Sequence, residues 1–108
     1  MRTTRFLDIN QGMKRFSKKR ILITGAGSGL GRALSLEFAR KEWRVAVAEI
    51  NQKRAVETVS MVNREGGEGL EVICDVTRME ELQEAAATVL EKWDGVDIVV
   101  NNAGAAAF

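Results

Sequence analysis

Short apolar segments alternate with longer amphipathic segments along most of the chain. Short runs rich in apolar residues are typical of buried strands, and apolar residues that recur every three or four positions are typical of helices. Strands are predicted at Arg20–Thr24, Arg44–Glu49, Leu70–Cys74 and Val96–Val100. Helices are predicted between them, at Leu30–Lys41, Gln52–Glu65 and Met79–Trp93.

The predicted helices carry end signals and apolar stripes. Asn51 is the expected N-cap of the second helix, because its side chain can accept a hydrogen bond from a free backbone N–H. The segment from Thr77 to Glu80 has the form of a capping box for the third helix. The residues expected to face the core are Ala33, Leu34 and Phe38 in the first helix, Ala55, Val59 and Val62 in the second, and Leu82, Ala86, Val89 and Trp93 in the third.

The alternation of strands and helices predicts an α/β fold. Strands that are apolar throughout are buried on both faces, which calls for a parallel sheet covered by helices on both sides. Right-handed crossovers then favour the strand order 3-2-1-4. We therefore predict a three-layer α/β/α arrangement, a partial Rossmann-type doubly wound parallel sheet.

The densest glycine cluster lies between the first strand and the first helix, from Gly25 to Gly31. Such a turn aims the unpaired N–H groups of a helix N-terminus at the strand end, where a phosphate or pyrophosphate can bind. Glu49 follows the second strand, 18 positions after Gly31, where a carboxylate can hold the ribose hydroxyls of a dinucleotide. The alternative is a glycine-rich strand–helix turn that binds nothing, which the positions of the turn, helix and carboxylate disfavour.

Polar residues also follow the third and fourth strands. Asp75 comes directly after the third predicted strand, and Asn101 and Asn102 come after the fourth. Because the carboxyl ends of parallel strands meet at one edge, these residues should lie near the glycine turn, at the switch point between strands one and four. Taken alone, Asp75 reads as a turn residue and the two asparagines as a polar strand end.

Composition narrows the classes of function. The composition is that of an ordinary globular protein. A length of 108 residues is sufficient for one domain at most. There is no His, and the single cysteine, Cys74, cannot form an intrachain disulfide and is expected in the core. No metal site is predicted. No apolar run reaches the roughly 18 residues that span a bilayer, and no interleaving of aromatic and basic residues suggests a nucleic-acid surface. A reducing, cytoplasmic setting is expected.

Positive charge is concentrated at the amino terminus. Residues 1–20 hold seven basic residues and one acid, a net charge of +6 within a chain whose net charge is +1. A basic tail can bind nucleic acid or act as a targeting peptide, but this one lacks the apolar stretch of a signal peptide. We predict that residues 1–17 form a flexible lead-in and that 18–108 form a dinucleotide-binding domain.

Taken in order, these motifs resemble those of the short-chain dehydrogenase/reductase family. The matching features are the Thr-Gly-x-x-x-Gly-x-Gly pattern from Thr24, the acid at Glu49, the Asp75-Val76 pair and the Asn-Asn-Ala-Gly that ends at Gly104. The resemblance covers about residues 18–108. It implies hydride transfer between a nicotinamide cofactor and an alcohol or carbonyl substrate. The cofactor-binding residues that it implies are Gly25, Ala26, Gly27, Ser28, Gly29, Leu30, Gly31, Glu49, Ile50, Asp75, Val76, Asn102, Ala103 and Gly104.

The resemblance also implies a role for each group of residues. The glycine turn would contact the pyrophosphate, and Glu49 with Ile50 would meet the adenosine ribose. Asp75 would face the adenine amino group beside Val76. The residues that would line the middle of the cofactor are Asn102, Ala103 and Gly104.

The catalytic Ser, Tyr and Lys of the family lie beyond its Asn-Asn-Ala-Gly motif. This chain contains no Tyr and has four residues after Gly104, so no catalytic residue is predicted within it. We expect the amino-terminal part of a longer, homo-oligomeric enzyme, inactive by itself. The alternatives are a non-catalytic, redox-sensing dinucleotide module and a fragment of an S-adenosylmethionine-dependent methyltransferase.

NAD is the expected cofactor, with NADP as the alternative. A ribose hydroxyl can donate a charge-assisted hydrogen bond to Glu49, whereas a 2′-phosphate there would face a like charge. Ile50 and Ser28 are neutral at positions where a basic residue would favour the phosphate. Arg32 weakens this argument because it could swing toward a phosphate, although it is expected to be a solvated helix residue.

Overall fold

The computed structural model describes residues 19–103, and the predicted lead-in at 1–17 and Gly104 lie outside them. The strands are β1 (Arg20–Thr24), β2 (Arg44–Glu49), β3 (Glu68–Ile73) and β4 (Ile98–Val100). The helices are α1 (Gly29–Arg40), α2 (Gln52–Arg64) and α3 (Met79–Trp93).

The four strands form one parallel sheet in the order β3-β2-β1-β4, which confirms the predicted topology. β1 is central, so that Ile21 lies opposite Val45 on one side and Ile98 on the other. The winding reverses direction between β1 and β4, and this is the position where doubly wound sheets bind their ligands.

Alternate residues of the central strands enter two separate apolar layers. Ile21 and Ile23 point to one face and pack with Ala39 of α1 and Ala55 of α2. Leu22 points to the other face, where it shares a cluster with Val89 of α3. This alternation gives three layers, because each face of the sheet buries the apolar stripe of its own helices.

The predicted core faces of α1 and α3 are each wrong at one residue, whereas the other predicted residues pack against the core: Leu34, Phe38, Leu82, Val89 and Trp93. Ala33 and Ala86 are exposed, whereas Ser35 and Ala85 are buried. In α1 the phase is set at Gly31, which is buried against the glycine turn. A helical apolar stripe can be continued at a spacing of either three or four residues, and where the side chains are small the sequence does not show which of the two is used.

Of the two predicted helix caps, one is confirmed and the other is wrong. The predicted N-cap of α2 is confirmed, since Asn51 Oδ1 accepts a 3.0 Å hydrogen bond from Arg54 N. The predicted capping box of α3 is wrong, because the N-cap is Arg78 and its side chain makes no capping bond. The Thr77 hydroxyl donates instead to Asp75 Oδ1 at 2.6 Å, which stabilises the turn before the helix.

Strand boundaries shift by a few residues. β3 begins at Glu68, two residues before the predicted start, because Glu68 pairs with Arg44. β4 is shorter than predicted and begins at Ile98.

An ion pair joins the start of β1 to the loop before β4. Asp97 Oδ2 accepts hydrogen bonds from Arg20 N at 2.8 Å and Arg20 Nε at 3.0 Å, and Asp97 Oδ1 accepts from Arg20 Nη2 at 3.1 Å. The guanidinium also donates to the Trp93 carbonyl at 3.0 Å. These hydrogen bonds hold the pKa of Asp97 below its usual value. The pair therefore connects the central strand to both α3 and β4.

Candidate functional site

A cleft of about 590 Å³ opens at the carboxyl ends of the strands. The glycine turn after β1 and the segments that follow β2, β3 and β4 all contribute residues to the cleft. Its lining residues are Gly25, Ser28, Leu30, Glu49, Ile50, Cys74, Asp75, Val76, Asn102 and Ala103. Except for Cys74, each of them is a residue that the sequence pattern and the family resemblance had placed at the site.

The turn between β1 and α1 presents an open helix N-terminus to this cleft. Gly25 and Gly29 have φ values of 65° and 54°, in the left-handed region that favours glycine. Ser28 is the N-cap of α1, but its side chain makes no capping hydrogen bond and the first turn contains no acidic residue. Unpaired N–H groups and the positive end of the helix dipole make this a suitable place for a phosphate.

Gly31 lets the turn pack closely against the end of β4. A Cβ at Gly31 would overlap the carbonyl oxygen of Gly25 and lie 2.8 Å from Asn102 Nδ2. The Asn102 amide in turn donates to the Gly25 carbonyl at 3.3 Å. The amide side chain therefore holds the first residue of the turn against the segment after β4.

The Thr24 hydroxyl makes a second connection between the same segments. It accepts a hydrogen bond from Ala103 N at 3.0 Å, and its single proton can be donated either to Asn101 Oδ1 at 3.2 Å or to the Val100 carbonyl at 3.4 Å. Thr24 is buried, with 2% of its surface exposed. These bonds fix the distance between the glycine turn and the Asn-Asn-Ala segment, which together form one side of the cleft.

Glu49 supplies a buried and oriented carboxylate. Its Oε1 accepts from Gly27 N at 2.9 Å, and its Oε2 accepts from Asn51 N at 3.0 Å. Only 7% of the residue is exposed, yet it lines the cleft. Each carboxylate oxygen keeps a lone pair beyond its backbone bond, so the group can accept hydrogen bonds from a pair of hydroxyls. Asn51, predicted only as a helix cap, is thus also part of the site.

The far side of the cleft carries a second carboxylate, Asp75. Hydrogen bonds from the Thr77 hydroxyl and backbone N–H lower the pKa of Asp75, which is therefore ionised at neutral pH. The preceding residue, Cys74, lies in the core as predicted, and burial raises the pKa of its thiol. Within the described residues, no group of His, Cys, Asp and Glu could hold a metal ion.

Arg32 is directed away from the cleft lining. Its Nε donates to the buried Thr58 hydroxyl at 2.9 Å, and its Nη2 forms a 3.2 Å ion pair with Glu57. The side chain is 27% exposed, so Arg32 is not the solvated residue expected from its helix position. α2 holds the guanidinium of the one basic residue that seemed able to reach a 2′-phosphate.

Four predicted residues of the turn support the site without lining the cleft. These are Ala26, Gly27, Gly29 and Gly31. Gly104 cannot be placed, because it lies beyond the described residues. Across residues 19–103, none of the helices has the length and apolar character needed to cross a bilayer.

With this geometry established, comparison with known proteins identifies the family. Residues 19–108 match the family model described as short chain dehydrogenase. The chain belongs to this family, and the described part of it is the cofactor-binding portion of the fold.

Among curated relatives, the chain is 36% identical over 92 residues to a 3beta-hydroxysteroid dehydrogenase of Mediterraneibacter gnavus. It is 37% identical over 95 residues to a 7alpha-hydroxysteroid dehydrogenase of Escherichia coli. The matches cover 85% and 88% of this chain but 33% and 37% of those relatives, so the chain spans about a third of their length. A short-chain dehydrogenase/reductase homolog of Bacillus subtilis, YusS, matches at 37% identity over 76% of both chains.

A solved structure shows the same fold. The structure of NAD⁺-bound xylitol dehydrogenase superposes with a TM-score of 0.73 at 27% identity, covering 75% of this chain and 31% of the other. That protein is an NAD-binding member of the structural group to which this chain is similar.

Proposed function

We propose that the chain binds NAD in the cleft and forms the dinucleotide-binding part of an oxidoreductase. The reaction would transfer a hydride between the nicotinamide and an alcohol or carbonyl carbon of a small molecule. The complete enzyme would be a cytoplasmic homo-oligomer. The observation that carries the proposal is the Glu49 carboxylate, buried at the cleft and held by two backbone N–H groups.

The residues present fit a dinucleotide. The open N-terminus of α1 can receive the pyrophosphate, and Glu49 can accept hydrogen bonds from the adenosine ribose. Asp75 and Val76 would lie beside the adenine, while Asn102 and Ala103 would lie under the middle of the cofactor. The NAD-bound state of the xylitol dehydrogenase neighbour supports this assignment.

The charges around the cleft favour NAD over NADP. Two carboxylates line it, and none of its lining residues is Lys or Arg. Glu49 could admit a 2′-phosphate only by leaving its two backbone donors, and hydrogen bonds to a charged group contribute about 1.5–3 kcal/mol each. Arg32, which could neutralise a phosphate, is held by Thr58 and Glu57 instead.

The residues of the chain determine which part of the reaction the protein would supply and which part the cofactor would supply. NAD supplies the hydride chemistry when bound, and the protein supplies binding, orientation and electrostatics. The chain has no Tyr, which the family resemblance implies as the proton donor. We therefore propose that residues 1–108 alone bind the dinucleotide without turnover.

The test is calorimetric titration of the 108-residue chain with NAD and with NADP. We expect tighter binding of NAD, because Glu49 is a hydrogen-bond acceptor for the ribose and repels a phosphate. Glu49→Ala should weaken NAD binding and narrow the gap to NADP. Glu91→Ala is the matched control, because Glu91 is an exposed carboxylate on α3 outside the cleft lining.

Three results would count against the proposal in different ways. If neither dinucleotide bound, the assignment of the cleft would be wrong. If NADP bound at least as tightly as NAD, the charge argument would fail and Arg32 would be the first residue to examine. If the chain alone oxidised alcohols with NAD, the proposed lack of turnover would be wrong.

A non-catalytic, redox-sensing module is the second candidate. The relative YusS, a short-chain dehydrogenase/reductase homolog, is matched over 76% of its own length, a larger share than in the hydroxysteroid dehydrogenases. A sensor should distinguish NAD from NADH, so titration with both oxidation states separates the candidates. A strong preference for one oxidation state would favour the sensor, and similar affinities would favour the enzyme part.

A further inference from the structure

Gly27 lies directly against the carboxylate of Glu49. A Cβ built on Gly27 would lie 2.5 Å from Glu49 Oε1 and 2.6 Å from both Cδ and Cγ. These three atoms are the nearest neighbours of that position, and all belong to Glu49. The backbone N–H of Gly27 donates to the same carboxylate at 2.9 Å. The side chain of Glu49 therefore occupies the space that any side chain at position 27 would need.

Within the described residues, neither backbone conformation nor a place in the cleft lining accounts for a glycine at this position. Gly27 is not among the residues with positive φ, unlike Gly25 and Gly29 in the same turn. Its conformation is therefore open to alanine. Gly27 is also buried and does not line the cleft, so a methyl group there would not meet a ligand directly. The contact with Glu49 is what remains to explain the glycine.

We propose that Gly27 is a positioning residue that sets the selectivity of the cleft between NAD and NADP by holding Glu49 in place. The inference rests on the proposed function, and it adds a residue of the glycine turn to those that determine the selectivity between NAD and NADP. Gly27 acts in two ways, since its N–H fixes Oε1 and its missing side chain leaves room for the carboxylate. Alanine at position 27 would displace the carboxylate from the cleft edge even though Glu49 is still present.

A double-mutant cycle tests this coupling. The four chains are the wild type, Gly27→Ala, Glu49→Ala and the double variant, each titrated calorimetrically with NAD and NADP. Gly27→Ala should reduce the preference for NAD about tenfold, the equivalent of one charge-assisted hydrogen bond. In the Glu49→Ala background, Gly27→Ala should have almost no further effect on the preference. The three atoms nearest to the new methyl group, Oε1, Cδ and Cγ of Glu49, are absent from alanine.

The cycle also has a readout that needs no ligand. Gly27→Ala should lower the urea midpoint of unfolding, and Glu49→Ala should restore part of that loss. Gly69→Ala is the matched control, because Gly69 lies on β3 outside the cleft lining and its Cβ would lie 2.9 Å from Cγ1 of Val59 on α2. That variant should lower the midpoint while leaving the ratio of the two affinities unchanged.

The proposal is overturned if Gly27→Ala weakens both dinucleotides equally, or if its effect is the same with and without Glu49. Either result would mean that Gly27 acts on the ligand directly or on the turn as a whole. It is also overturned if the single and double variants both fail to fold. Failure of the wild type to bind either dinucleotide is a different result, because it would first refute the proposed function.

Discussion

Replacement of Asp97 by alanine should destabilise the domain by removing the connection between β1 and the loop before β4. The carboxylate accepts three hydrogen bonds from Arg20, one from its backbone and two from its guanidinium. The loss of the backbone bond should cost about 1 kcal/mol. The ion pair adds about 0.5 kcal/mol, because side-chain exposures of 26% and 39% leave it screened by solvent.

A total loss of about 1.5 kcal/mol should lower the melting temperature by about 8 °C in a domain of this size. Thermal unfolding followed by circular dichroism at pH 7 measures this shift. Glu37→Ala is the matched control, because Glu37 forms an ion pair with Arg40 in which the two side chains are 61% and 51% exposed, respectively. That variant should leave the melting temperature almost unchanged, because an ion pair between exposed side chains contributes little to stability.

The effect should depend on pH in a defined direction. Hydrogen bonds from Arg20 lower the pKa of Asp97 below 3.8 in the folded protein. A carboxyl group with a depressed pKa stabilises the fold above its unfolded pKa, and the stabilisation disappears as the pH falls through the folded pKa. The difference between the wild type and Asp97→Ala should therefore begin to shrink as the pH falls below about 4, and it should go on shrinking as the pH falls through the lower folded pKa. An equal melting temperature at pH 7, or a difference that does not shrink between pH 4 and pH 2, would refute this reasoning.

Three further predictions concern the cleft. Gly31→Ala should cost about 1–3 kcal/mol, because its methyl group overlaps the Gly25 carbonyl, and an unchanged urea midpoint would contradict this. Thr24→Val should remove the acceptor of Ala103 N, so amide hydrogen exchange at Ala103 should accelerate while the sheet amides stay protected. Cys74 should react with a thiol reagent at least about tenfold more slowly at pH 8 in the native than in the urea-unfolded chain, since burial raises its pKa. Equal rates would show that the thiol is accessible.

The topology was predictable because one physical requirement dominates it. The strand segment from Val45 to Ala48 is apolar at every position, so both of its faces must be buried, and this requires a layer of helices on each side of the sheet. The approach of Glu49 to the glycine turn was likewise predictable, because both follow neighbouring strands whose carboxyl ends share an edge. Short-range chemistry and the strand order were sufficient for these features.

Features that depend on how the helices dock, or on competition between alternative hydrogen-bond partners, were not predictable. The exposure of Ala86 follows from how α3 docks on the sheet, and the amphipathic period alone does not distinguish it from Ala85. Thr77 had the local pattern of a cap, but its hydroxyl bonds to Asp75 instead. The binding of Arg32 to Thr58 depends on the packing of α1 beside α2, 26 residues along the chain, and no local pattern signals it.

The central position of β1 has a consequence for the order in which the protein can be assembled on the ribosome. Among the four strands of the described residues, β1 is synthesised first, but its second hydrogen-bonding edge is completed only by β4, and the ion pair between Arg20 and Asp97 joins residues 77 positions apart. At about 5–20 residues per second, that edge stays open for about 4–15 s during synthesis. The half-sheet of β1, β2 and β3 can pair earlier, but the hydrogen bonds from Asn102 and Ala103 that close the glycine turn cannot. Closure of the glycine turn is thus timed to follow the arrival of the fourth strand, after the other edge of the central strand has already been able to pair.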